Sequence, residues 1–84
     1  MYLLHIGKDI VIDENEIIGI FDLEGLKKTK VGKEFLENIK EDLIKIEEKE
    51  KSLILVKKNE KIKGYISNIL SVTLEKRCTE KSFS

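Results

Sequence analysis

Three apolar bursts fill the first twenty-one residues: Tyr2-Leu3-Leu4-His5-Ile6, Ile10-Val11-Ile12 and Ile17-Ile18-Gly19-Ile20-Phe21. Each is short, and they are divided by Gly7-Lys8-Asp9 and by Asp13-Glu14-Asn15-Glu16, so the pattern predicts three successive strands starting at the first residue, with no leader at this end. Tyr2, Leu4 and Ile6 should share one strand face and Leu3 and His5 the other. The Gly7-Lys8-Asp9 break predicts a hairpin joining the first two strands. Ile17 to Phe21 has no wet face, which predicts a strand in the middle of a sheet or at a subunit interface.

Farther along, Asp22 to Lys28 contains Gly25 and paired lysines and reads as a loop. Thr29 is placed to cap a helix starting near Lys30, because its hydroxyl can accept from the orphan amides of the first turn. Val31, Phe35, Leu36, Ile39 and Leu43 recur at helical spacing, an amphipathic helix of roughly three turns, with Gly32 weakening its start. Leu43 to Ile46 can open another strand. Leu53-Ile54-Leu55-Val56 is a second continuous apolar run and predicts a strand buried on both faces. After Asn59-Glu60, Ile62, Gly64 and Ile66 alternate with Lys61, Lys63 and Tyr65, which predicts a hairpin. Ser71 is placed to cap a closing helix through Val72, Leu74 and Cys78. Residues 79–84 carry no apolar periodicity and are expected to form a disordered tail.

These elements predict a single small α+β domain over residues 1–78, with five to six short strands, one amphipathic helix and a short C-terminal helix. A chain of 84 residues buries only about 60 to 65 % of its unfolded surface, so its core is thin and reinforcement is expected. Cys78 is the only cysteine and His5 the only histidine, which excludes an intrachain disulfide and leaves no metal-binding spacing. Self-association is the remaining reinforcement. No stretch approaches the roughly 20 apolar residues of a membrane span, and a cytoplasmic location is expected.

Sixteen basic and sixteen acidic residues cancel, yet they are unevenly spread. Residues 25–33 hold four lysines and no acid, residues 34–50 seven acids and three lysines, and residues 51–84 eight bases and three acids. Most of these lysines are expected to be ordinary solvated surface. Catalysis is not expected: no serine has a flanking elbow, no glycine-rich phosphate loop exists, and acidic pairs such as Asp13-Glu14 are explained as surface charge. No cofactor, metal or small-molecule ligand is expected. His5 is expected to be a half-buried imidazole hydrogen-bonded to a neighbouring strand, and Cys78 a small apolar side chain on the last helix. The aromatics are too few for a base-stacking platform, so a nucleic-acid partner would be a duplex met through phosphate.

The order of Tyr2-Leu3-Leu4-His5-Ile6-Gly7, Val11, Ile17-Ile18-Gly19-Ile20-Phe21-Asp22, Lys33-Glu34-Phe35-Leu36, Lys51-Ser52-Leu53-Ile54-Leu55 and Ser71-Val72-Thr73-Leu74-Glu75-Lys76-Arg77 resembles the bacterial extracellular-matrix regulatory proteins of the RemA/RemB type, and more closely the RemB branch. The resemblance covers roughly residues 2–78. It implies a transcription regulator of biofilm-matrix genes that binds double-stranded DNA as a ring-shaped homo-oligomer of LytTR-like subunits. The DNA-binding branch carries an arginine where Glu16 stands, and an arginine cluster where this chain has Lys49-Glu50-Lys51. Lysine meets phosphate as a point charge without arginine's planar fork, and Glu16 would repel the backbone. Lys49 and Lys51 are therefore the best-aligned phosphate contacts, with Lys27, Lys28 and Lys30 supporting; Lys57 and Lys58 are further candidates for a displaced surface. The alternative implied by Glu16 is an oligomeric protein-interaction scaffold that has lost direct DNA binding.

Overall fold

The apolar bursts do become strands. The computed structural model describes residues 3–78; the expectations for Tyr2 and for the tail at 79–84 lie outside the described residues. β1 (Leu3–Gly7) and β2 (Ile10–Asp13) form an antiparallel hairpin. Gly7 sits at φ 137° and Lys8 at φ 46°, a reversal that glycine makes without steric cost. A single 3₁₀ turn, Glu14–Glu16, follows, with the Asp13 carboxylate accepting from Asn15 N–H at 2.9 Å.

β3 (Ile17–Asp22) leads into α1 (Leu23–Lys27), then α2 (Lys30–Ile39), a 3₁₀ turn at Lys40–Asp42, β4 (Leu43–Lys45), β5 (Ser52–Lys58), β6 (Lys61–Ser67) and α3 (Ser71–Arg77). The four later strands form one sheet in the order β3-β5-β6-β4, antiparallel except for the parallel β4–β6 pair. β5 and β6 are joined by Asn59-Glu60, both at positive φ (52° and 67°), as a two-residue type I′ hairpin loop requires.

β5 is the axis of the core. Ile54 and Val56 pack with Leu4, Ile6, Ile12 and Leu74 on one face of the sheet, whereas Leu53 and Leu55 pack with Leu23, Ile66, Phe35 and Leu36 on the other. The β1–β2 hairpin and α3 thus cover one face and α1 and α2 the other. The expectation of a strand buried on both faces holds for β5, because alternate side chains feed two separate cores.

For β3 the expected place in the middle of the sheet does not hold. This strand lies at the sheet's edge, and Ile18 and Phe21 are exposed. A bulge between Ile17 and Gly19 explains how so apolar a strand is accommodated there. The inserted residue breaks the two-residue period, so Ile17 and Ile20, three apart, reach the same core while Ile18 is left outside.

Other readings also change. The Asp22 to Lys28 segment is not a loop: Leu23–Lys27 is a helix that buries Leu23, too short to show a period. Val31 is 76 % exposed and leaves the apolar stripe of α2 to Phe35, Leu36 and Ile39. Ser71 is the first residue of α3 rather than its cap; Leu70 holds that position and makes no side-chain cap bond. Cys78 lies just past α3, half-buried against the core under the hairpin.

Candidate nucleic-acid interface

The five lysines read from the sequence come from two stretches of chain that the fold brings to one end of the molecule. Lys27 is the last residue of α1, Lys28 follows it, and Lys30 opens α2. Lys49 and Lys51 lie in the connection between β4 and β5. That connection is held by the backbone: Ile46 N–H donates to Ile66 O at 3.0 Å, Lys51 N–H to Ser67 O at 2.9 Å, and Leu23 N–H to Lys51 O at 3.2 Å. The last bond ties the start of α1 directly to the lysine loop.

Glu50 links the two stretches. Its carboxylate accepts from Lys27 Nζ at 2.7 Å and lies 3.3 Å from Lys45 Nζ. The Lys27 hydrogen bond, helped by Lys45 and opposed by partial burial, holds the Glu50 carboxyl below its ordinary range. Lys28 meets Glu24 at 3.7 Å across one helical turn, with both side chains largely in water, a pair of small energetic consequence. Lys30, Lys49 and Lys51 are exposed and make no ion pair among the described residues. The candidate surface therefore consists of Lys49 and Lys51 flanking a neutralised Glu50, with Lys30 and the weakly engaged Lys28 beside them.

Lys57 and Lys58 do not join this cluster. They stand at the opposite end of β5 from Lys51, about 20 Å away at the rise of an extended strand. There the type I′ hairpin sets Lys58 opposite Lys61 and Val56 opposite Lys63, creating a second basic tip of four lysines. The sequence signal for it was the pairing register across Asn59-Glu60, which counts Lys61 and Lys63 with Lys57 and Lys58. A groove of about 380 Å³ below this tip is lined by Lys58, Lys63 and Tyr65 together with Asp13 and Glu16. Glu16 thus faces the basic tip rather than the Lys49–Lys51 loop. These two positions lie at opposite ends of β3 and β5, since Ile17 pairs with Val56 and Asp22 with Ser52.

His5 is exposed rather than half-buried, and its Nε2 hydrogen-bonds the Lys8 carbonyl inside its own hairpin turn instead of a neighbouring strand. The ring stabilises the reversal at Gly7-Lys8. Among the described residues no three His, Cys, Asp or Glu side chains are grouped to hold a metal ion, and no helix is long and apolar enough to cross a membrane. No protein-family model matches this chain, and no curated protein matches it.

Proposed function

We propose that this chain is a self-associating, sequence-tolerant DNA-binding regulator of the matrix-regulator kind it resembles, with a LytTR-like subunit repeated in a ring. The observation that supports it best is the pair of exposed lysines Lys49 and Lys51, without an ion pair among the described residues, on a loop pinned by backbone hydrogen bonds to β6 and α1. Charges on a fixed loop lose little freedom on meeting phosphate, and copies linked in one assembly act at high effective concentration along a duplex.

With Lys28, Lys30, Lys49 and Lys51 neutralising phosphates, log K falls against log salt with a slope of about −3.6. Titrating a labelled duplex at several salt concentrations measures this slope. Lys49→Glu with Lys51→Glu weakens binding and leaves the assembly mass unchanged. An absence of binding at low salt removes the proposal.

The second reading is an oligomeric protein-interaction scaffold without direct DNA binding. Two acids favour it: Glu50 stands between the leading lysines, and Glu16 shares a groove with Lys58 and Lys63. Negative gel shifts, together with co-purification of a regulatory protein with the assembled chain, decide for it.

A further inference from the structure

Acids and bases line the groove beneath the β5–β6 tip without meeting. Glu16, Lys58 and Lys63 make no ion pair among the described residues, and the Asp13 carboxylate is engaged only by Asn15 N–H. The strands account for the gap. Ile17, Val56 and Lys63 form one row across β3, β5 and β6, so Lys63 stands two strand spacings, about 10 Å, from the residue that follows Glu16. The acids come from the end of β2 and the 3₁₀ turn after it, the bases from the β5–β6 hairpin.

Asp13 and Glu16 are half-buried, and a carboxylate drawn partly out of water without a cationic partner costs free energy that a bound cationic group recovers. The lysines set the complementary demand. Between them, buried Ile12 and Val56 supply an apolar floor, and half-buried Tyr65 carries a hydroxyl with no hydrogen-bond partner among the described residues. Lys63 and Tyr65 are two apart on β6 and share the sheet face on which Val56 lies.

These features restrict the occupant. A polyanion is repelled by Asp13 and Glu16, and a simple cation by Lys58 and Lys63. The volume of about 380 Å³ is at the lower end of small-molecule sites, about 300 to 1,000 Å³, which suits a metabolite and not a folded partner. A small molecule that carries both charges on an apolar body satisfies the two walls and the floor together.

We infer that this groove binds a free α-amino acid with an apolar side chain, its carboxylate at Lys58 and Lys63, its ammonium at Glu16 and Asp13, and its side chain against Ile12, Val56 and the Tyr65 ring. Each ionic contact is weak by itself at a partly exposed site, so recognition requires both charges and the apolar contact at once. The groove lies at the end of β5 remote from Lys49 and Lys51 and is formed within a single chain. The site therefore depends neither on DNA binding nor on self-association.

Titrating the twenty free amino acids one by one into the isotope-labelled chain, with backbone amides followed by NMR, tests the site. An apolar amino acid should shift the amides of Val56, Lys58, Lys63 and Tyr65 saturably. The N-acetyl and methyl-ester forms of that same amino acid, each lacking one charge, should bind at least about tenfold more weakly. So should the free amino acid to Glu16→Gln and to Lys63→Gln, with thermal melts of both variants matching the wild type. No shift by any amino acid at millimolar concentration overturns the site. Undiminished binding of either blocked form, or by both variants, overturns it as well, and so do shifts confined to residues away from the groove.

Discussion

Lys27 Nζ lies 2.7 Å from Glu50 Oε1, and this one contact joins the end of α1 to the loop that precedes β5. Glu50 titrates below its ordinary range in the folded chain and within that range when unfolded. Its stabilising contribution is therefore complete above the ordinary carboxylate range and is lost as the pH falls through the folded value. Urea denaturation of the wild type and Glu50→Gln across a pH series should show the wild type ahead at neutral pH by under about 1 kcal/mol, the usual ceiling for a partly exposed pair. The gap should close in acid. A gap that widens in acid contradicts the assignment.

On the proposed DNA binding the same substitution should act in the opposite direction. Glu50→Gln releases Lys27 and Lys45 and removes a negative charge between Lys49 and Lys51. Binding should tighten, and the salt slope should steepen by about 0.9 for each lysine that gains a phosphate. Gel shifts at three salt concentrations measure both quantities; an unchanged slope would place the duplex elsewhere, with the Lys57–Lys63 tip the next surface to reverse.

Ser52 and Ser67 face each other across β5 and β6, both fully buried, and mutation should separate them. Ser67 Oγ donates to Ile6 O at 2.5 Å and accepts from Ile69 N–H at 3.0 Å, tying the β1–β2 hairpin to the sheet. Ser67→Ala should cost about 1 to 2 kcal/mol. Ser52 Oγ has no hydrogen-bond partner among the described residues, so Ser52→Ala removes an unsatisfied polar group and should change stability by less than about 0.5 kcal/mol, or raise it. Thermal or chemical melts of the two variants give the contrast.

How much of this arrangement can be read from residues alone follows from where each signal resides. Leu53 to Val56 announces a doubly buried strand because burial on both faces removes the polar alternation. Asn59-Glu60 marks the hairpin because it separates that continuous run from the alternation of Ile62, Gly64 and Ile66 with lysine and tyrosine. Ile17 to Phe21 looks equally central, yet it lies at an edge: a bulge at Ile18 changes which face each residue takes, and nothing in the residue types reports an inserted position. α1 was hidden because five residues make little more than one turn, and the parallel pairing of β4 with β6 is a long-range choice with no local mark. At the candidate interface, Lys49 and Lys51 are named only by what the family resemblance implies, since no local pattern singles them out among the lysines. That Glu50 reaches Lys27, 23 positions away, has no mark in the sequence either, because charge runs carry no information on partners distant in sequence.

Gly32 illustrates the last point at the level of a single hydrogen atom. From sequence it weakens the start of a helix; in the fold it is buried at the closest approach between α1 and α2. A Cβ built there would lie 2.0 Å from the Leu26 carbonyl oxygen and 2.7 Å from Thr29 Oγ1. The first neighbour is backbone and cannot rotate away, and the second is the cap, whose oxygen accepts from Gly32 N–H at 2.9 Å. Gly32→Ala must therefore push the two helices apart and weaken the cap together, and should cost about 3 kcal/mol, the upper end of overpacking, despite alanine's better helix propensity. Thr29→Ala removes the cap alone and should cost about 1 kcal/mol, with Thr29→Ser retaining most of it. Denaturant midpoints for the three variants order them. A Gly32→Ala protein as stable as the wild type would mean that α1 and α2 do not meet at this distance, and the placement of Lys28 and Lys30 between the two helices would fall with it.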